Sequence, residues 1–410
     1  MSYNNHYKLQ QKDMFLMTVI FRNIFESIAR PNNLLFTSFM IYLGLADYEI
    51  GYIISFIALT NVLQIFSPIL YERFKSPKKV VLLTRSLRLV FFYLLLAVPF
   101  LHNYRFVILL LIIATSASFN ALMGATFVAW NDCIIPKERK GRYFSNMNVI
   151  FNATAILASL FFGKVLDCYK HTTKLFMIIF SLSIIFAVLE ILLTCKLEDN
   201  TLSTNGRLSL KEFITIPLKD SSYRGFIIFS LLWMFAVSFA TPFFKLYAIR
   251  YIKLSYGYIA IVGSITSVFK IIMAKPWGAG VDRFGYKNIM KYTGICFAVT
   301  HFLWIFISAG GQIIYFIFIF LNGIFVIGFN ISKFNINLSL SNNEHRLAYM
   351  GVNAAIMAIF SFVSTNISTL IIQYTDMSWS LFGIDIFQLL FIFAGFLYLL
   401  ALAYILRKDI

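Results

Sequence analysis

The sequence predicts an all-α integral membrane protein of twelve transmembrane helices in two similar six-helix bundles. Composition is the first observation: of 410 residues 60% are hydrophobic and 13% charged, with a mean hydropathy of +0.78. An ordinary soluble domain carries roughly 25% charged residues. The second is a steady recurrence of apolar runs of about twenty residues, the length that crosses a ~30 Å hydrocarbon core. The third is a repeat, in which the longest polar stretch lies at the midpoint and a similar charged segment occupies matching places on either side of it.

The composition excludes a soluble fold, because 46 Phe among so many Ile and Leu exceed what a folded surface of this size can hide from water. The predicted spans run roughly 14–44, 50–71, 80–101, 106–130, 144–166, 174–195, 223–247, 255–280, 288–308, 312–332, 347–373 and 382–406. The N-terminal segment is polar and lacks the short apolar core of a cleaved signal, so the first span is expected to direct insertion. The net charge of +17 follows topology and no polyanion partner, since basic residues cluster in short loops and form no basic arm. Clusters such as Arg73, Lys75, Lys78 and Lys79, or Lys137, Arg139, Lys140 and Arg142, fall on one side. The other side holds few, among them Arg105, Lys170 and Lys253. Both termini are therefore expected on the cytoplasmic side of a membrane whose lipid surrounds the chain. Cys133, Cys168, Cys195 and Cys296 have no pairable short spacing, so neither a disulfide framework nor a metal site is signalled, and no cofactor is expected.

Three parts follow: an N-terminal bundle over 1–195, a linker over 196–222 and a C-terminal bundle over 223–410. Within the linker, Leu210, Phe213, Ile214 and Leu218 keep helical spacing beside Lys211, Glu212 and Lys219. That pattern suits a short amphipathic helix on the inner membrane surface, or a plain linker.

The repeat is specific in its placement. Glu72-Arg73-Phe74 and Asp282-Arg283-Phe284, each followed by Lys, stand 210 residues apart after spans two and eight. At these residues the chain resembles the major facilitator superfamily, whose loop between spans two and three carries Gly, Asp-Arg, Gly and then basic residues. Gly278, Asp282, Arg283, Gly285 and Lys287 match this pattern in the second half, while the first half has Pro68, Glu72 and Lys75 in place of Gly, Asp and Gly. The run from Trp130 to Phe144, with Asp132, Pro136, Arg139, Gly141 and Arg142, resembles one bacterial branch of the superfamily. The resemblance covers essentially the whole chain and implies a secondary transporter of a small solute, monomeric, with a proton or other coupling ion left open.

Carboxylates at such a loop can cap a neighbouring helix N-terminus while Arg pairs with a carboxylate opposite. Glu72, Arg73, Asp132 and Arg142 are therefore expected to form an inner gate, with Asp282 and Arg283 as a weaker partner set; snorkelling loop charges that merely fix topology are the alternative. Inside the spans, each ionisable residue costs about 2.5–3.5 kcal/mol on insertion scales and is a candidate site residue. Arg22, Glu26 and Arg30 repeat at i, i+4 on one face of span one. They are read either as a cavity site or as an amphipathic lead-in before a shorter span starting near Pro31. Lys270 in span eight is the better cavity candidate among the lysines, able to bind an anion or to pair with Glu26, whereas Lys245 and Lys164 sit nearer span ends. Glu190 is expected to reach the inner interface. Asn120 and Asn322 are candidate cavity amides, although such groups more often join helices. Trp233 and Phe243-Phe244 are read as packing or lipid-facing.

The sequence supports competing functions unequally. Span four has no Arg and span five no Gly-Pro, which weakens a drug–proton antiporter. Five scattered histidines disfavour a membrane-embedded transferase, and no phosphate-cradling Gly-rich loop points to ATP. A transporter-like receptor or scaffold is the other alternative.

Overall fold

The structure is a computed structural model that describes residues 2–101, 103–134, 140–169, 172–199, 210–307, 311–342, 345–376 and 379–408; side chains are described for part of these. Its contacts divide the chain into two compact units, Met1–Leu45 with Thr60–Arg207, and Ala46–Leu59 with Leu208–Ile410.

In the first unit the first crossing is broken. Helix α1 (Ser2–Ala29) and α2 (Leu34–Tyr42) flank Pro31, which cannot donate to a helix ladder. Asn33 closes both ends: its Nδ2 donates to Ser27 O at 2.6 Å and Ile28 O at 3.1 Å, and its Oδ1 accepts from Phe36 N at 2.7 Å. Helix α3 (Asp47–Thr60) opens the next crossing and groups with the second unit, and α4 (Ser67–Phe74) follows it in the first. Ser76 caps α5 (Pro77–Tyr93), its Oγ accepting from Lys79 N at 3.0 Å, with Pro77 at the position where no N–H is needed. The unit is completed by α6 (Arg105–Ile134), α7 (Lys140–Cys168) and α8 (Thr173–Cys195).

The second unit adds α9 (Leu210–Lys219), α10 (Ser221–Ala240), α11 (Phe244–Arg250), α12 (Tyr256–Phe284), α13 (Tyr286–Thr300), α14 (Gln312–Leu340), α15 (Arg346–Tyr374) and α16 (Ile386–Arg407). Helix α9 packs on α15, with the Phe213 ring over Gly351. A short ribbon, β1 (Ser380–Leu381) and β2 (Ile384–Asp385), turns through Phe382 and Gly383, both at positive φ, and Asp385 then caps α16 reciprocally with Gln388.

Among the described residues, eleven helical segments are long and apolar enough to cross a membrane. The twelfth crossing is α1 with α2, whose intramembrane charges lower its apolar score. The packing repeats between units. In the first, α1 lies along α8 and α7, α5 along α6 and α8, and α4 along α6; in the second, α10 lies along α16 and α15, α13 along α14 and α16, and α12 along α14.

The two signature loops differ as their sequences do. Gly285 joins α12 to α13 at φ 80 and ψ 149, a region open in practice to glycine alone. At the matching place Lys75 ends α4 at φ 52 and ψ 18, the left-handed region that a side chain tolerates at modest cost.

Candidate functional site

Helix α1 is no surface lead-in: Phe15, Val19, Phe25 and Ile28 are buried and the helix lies along α7 and α8. Its i, i+4 charges therefore turn into the first unit. There Glu26 meets Arg88 of α5 in a two-pronged contact, Nη1 on Oε1 and Nη2 on Oε2 at 3.1 Å. Arg30 Nε reaches Glu26 Oε2 at 3.4 Å, and Arg88 Nη1 also donates to Asn120 Oδ1 at 3.1 Å. Both Glu26 oxygens are thus engaged by arginines of the first unit.

A second pair lies beside the first. Arg85 Nη1 approaches Glu190 Oε1 at 2.7 Å, with 7% and 5% of the two side chains exposed, and donates to Thr194 Oγ1 at 3.2 Å. The Arg85–Glu190 contact is a close ion pair whose angle is not that of a hydrogen bond. Glu190 is thus buried within the unit, and the expectation that it reaches the interface fails: its helix face turns toward α5 and meets a cation there. Four guanidiniums lie over aromatic rings, Arg22 and Arg85 over Phe127 at 4.4 and 4.8 Å, Arg88 over Phe25 at 5.0 Å and Arg30 over Phe151 at 5.3 Å.

Around Arg22, Arg85, Arg88 and Glu190 the free space is only about 10 Å³, so this part of the network is packed shut. Next to it a cavity of about 180 Å³ opens along α1 and α7, bordered by Asn23, Glu26, Ser27, Arg30 and Phe151. A separate groove of about 690 Å³ runs along α8 and is lined mostly by apolar side chains, among them Met177, Ile178, Leu182 and Ile185.

The second unit fills its corresponding helices differently. Trp233 of α10 stacks on Phe329 at 3.6 Å and meets Phe297 of α13 and Tyr398 of α16 at 5.5 and 4.7 Å. Lys270 is half-buried on α12, its Cε beside Gly323 of α14, next to Asn322. Lys245 is half-buried and feels the charge of Lys270, and Lys333 Nζ lies 3.7 Å from Met357 Sδ. Asp47 accepts from Arg250 and from Tyr251 Oη at 2.5 Å; burial first, then that carboxylate, hold the Tyr251 phenol above its ordinary pKa.

Of the gate candidates, Glu72 and Arg73 are exposed at the end of α4, and Asp282 and Arg283 are exposed at the end of α12. Among the described residues no ion pair joins them, and Arg283 lies over the Phe284 ring. Asp132 and Arg142 lie on α6 and α7, with their side chains outside the described residues. The structure brings together Glu26, Arg22, Arg30 and Asn120 but leaves Lys270 and Asn322 in the other unit. Sequence reading missed Arg85 and Arg88; the available signal was two arginines three residues apart inside an apolar run.

No family model matches the sequence, and no curated protein is significantly similar to it. Solved structures are similar over nearly the full length. A bacterial homologue of the iron transporter ferroportin, in its inward-facing state, superposes with a TM-score of 0.74 at 12% identity, covering 97% of this chain and 98% of that one. The nucleoside transporter NupG gives 0.70 at 15%, over 98% and 99%. A D-xylose–proton symporter gives 0.67 at 14%, over 97% of each chain. The fold is the major facilitator fold. Within that fold the repeated helix pairing of the two units has its explanation, six helices used twice.

Proposed function

We propose that this chain is a secondary active transporter that moves a small solute across a bacterial cytoplasmic membrane by alternating access, with both termini inside. The observation that carries the reading is the ion network of α1, α5 and α8 buried at membrane depth beside a cavity. Buried ion pairs contribute little net stability and are often replaceable by apolar residues, so a membrane protein that keeps one has a use for it. The fold supports the same reading, since the similar solved structures are transporters. Glu72, Arg73, Asp132 and Arg142, with Asp282 and Arg283, act in this reading as loop contacts that form in one state and break in the other.

The test is reconstitution into liposomes and measurement of protein-dependent, saturable counterflow of labelled solutes, with and without a pH gradient. Counterflow supports transport. Ligand binding without flux from any class would replace the transporter with a receptor. Glu72→Gln and Asp132→Asn variants should insert normally and slow the flux; unchanged rates would remove the gate.

A further inference from the structure

The charges within the membrane are not balanced, and the imbalance has the same sign in both units. In the first, among the described residues, Arg22, Arg30, Arg85 and Arg88 face Glu26 and Glu190 alone. In the second, Lys270 and Lys333 lie inside spans, while Asp47 and Asp385 hold Arg250 with Tyr251, and Tyr247 with the α16 cap. Uncompensated positive charge at membrane depth is costly unless something negative joins it.

The 180 Å³ cavity along α1 and α7 is where an anion fits. Arg30, 54% exposed where Glu26 is 7% exposed, spends only its Nε on Glu26 and leaves both terminal nitrogens unused, the fork that suits carboxylate or phosphate. Asn23, only 6% exposed, borders the same cavity, and its Nδ2 has no hydrogen-bond partner. A buried donor left unpaired is costly, so an acceptor arriving there is favoured. Glu26 also borders the cavity, but Arg88 and Arg30 already neutralise both its oxygens. The space far exceeds the ~10–15 Å³ that one water needs, whereas the interior of the arginine network does not.

We infer that the solute is an anion, and that its carboxylate or phosphate group docks in the α1–α7 cavity on the Arg30 fork and the Asn23 amide. The inference rests on the transporter reading and names its substrate class. Phe151, under the Arg30 guanidinium, holds the fork in place from the far side.

The test uses the full chain, purified in mild detergent in low-chloride buffer, and matched pairs of probes: succinate against succinamide, and glycerol 3-phosphate against glycerol, with cadaverine as a cation. Thermal unfolding should rise with one anion series and with neither its neutral counterpart nor the cation; the series that acts distinguishes carboxylate from phosphate. Arg30→Gln should weaken that anion at least tenfold while the ligand-free protein still folds, Glu26 keeping its two-pronged contact with Arg88. Arg30→Lys should recover part of the loss, and Asn23→Ala should weaken binding by a smaller factor. No shift with either anion series overturns the assignment, as does undiminished affinity in Arg30→Gln. Liposome counterflow of a neutral or cationic solute would overturn the anion and leave the transporter standing. Absence of counterflow for every class, with anion binding intact, would overturn transport and leave the anion site.

Discussion

The two units place the same helices against one another and fill the space between them in opposite ways. Where α1, α5 and α8 of the first unit meet, arginines and glutamates pair. At the matching place in the second, Trp233, Phe297 and Tyr398 of α10, α13 and α16 close into an aromatic cluster, with His301 4.9 Å from Tyr398. The packing topology therefore does not require charge, because a ring cluster of similar bulk satisfies it. The ion network is an addition to the fold, and additions at membrane depth point to function.

Five measurements break or sharpen this comparison. Glu190→Leu, which strands Arg85 in the first unit, should cost about 3–5 kcal/mol in unfolding. The double change Arg85→Met with Glu190→Leu should come back to within about 1 kcal/mol of the parent, or exceed its stability, while counterflow falls; retained flux would reduce the network to a packing device. In the second unit Trp233→Ala should lose about 3–5 kcal/mol by leaving a hole among Phe297, Phe329 and Tyr398, and no partner substitution among charges should rescue it. Gly323→Ala places a Cβ 2.2 Å from Thr266 Cγ2 and should cost about 1–3 kcal/mol in melting, with Lys270 displaced. Ser76→Ala, removing the α5 cap and a hydrogen bond to Asp199, should cost about 1 kcal/mol.

The architecture was legible in the sequence because lipid imposes a strong rule: each crossing must hide its backbone in one helix, so span length and the repeat survive in plain view. The signature loop was legible for the same reason that its backbone differs, Gly285 and Lys75 each marking the turn that it can adopt. The site was legible on α1 alone. Arg22, Glu26 and Arg30 announced a charged face, but their partners came from α5 and α8, about sixty and one hundred and sixty residues away, and no local pattern links Arg88 or Glu190 to Glu26. Glu190 was misread because its sequence position is near a span end, whereas its burial depends on which neighbour its face meets. Pairing with Glu26 was one of two readings given to Lys270, and no local pattern pointed to the α5 cation that meets Glu26 instead.

The break at Pro31–Asn33 also sets a depth. Helix α2 has nine residues, about 14 Å of rise, roughly half of a ~30 Å hydrocarbon core. If α2 ends, at Tyr42, at one face of the membrane, Arg30 lies close to the bilayer centre and Glu26 one turn beyond it. An insertion that lengthened α2 by a turn would slide the charged face of α1 some 5 Å toward the opposite leaflet without altering one of its residues. The loop that looks like a flaw in the first crossing is thus the measure that fixes how deep its charges sit.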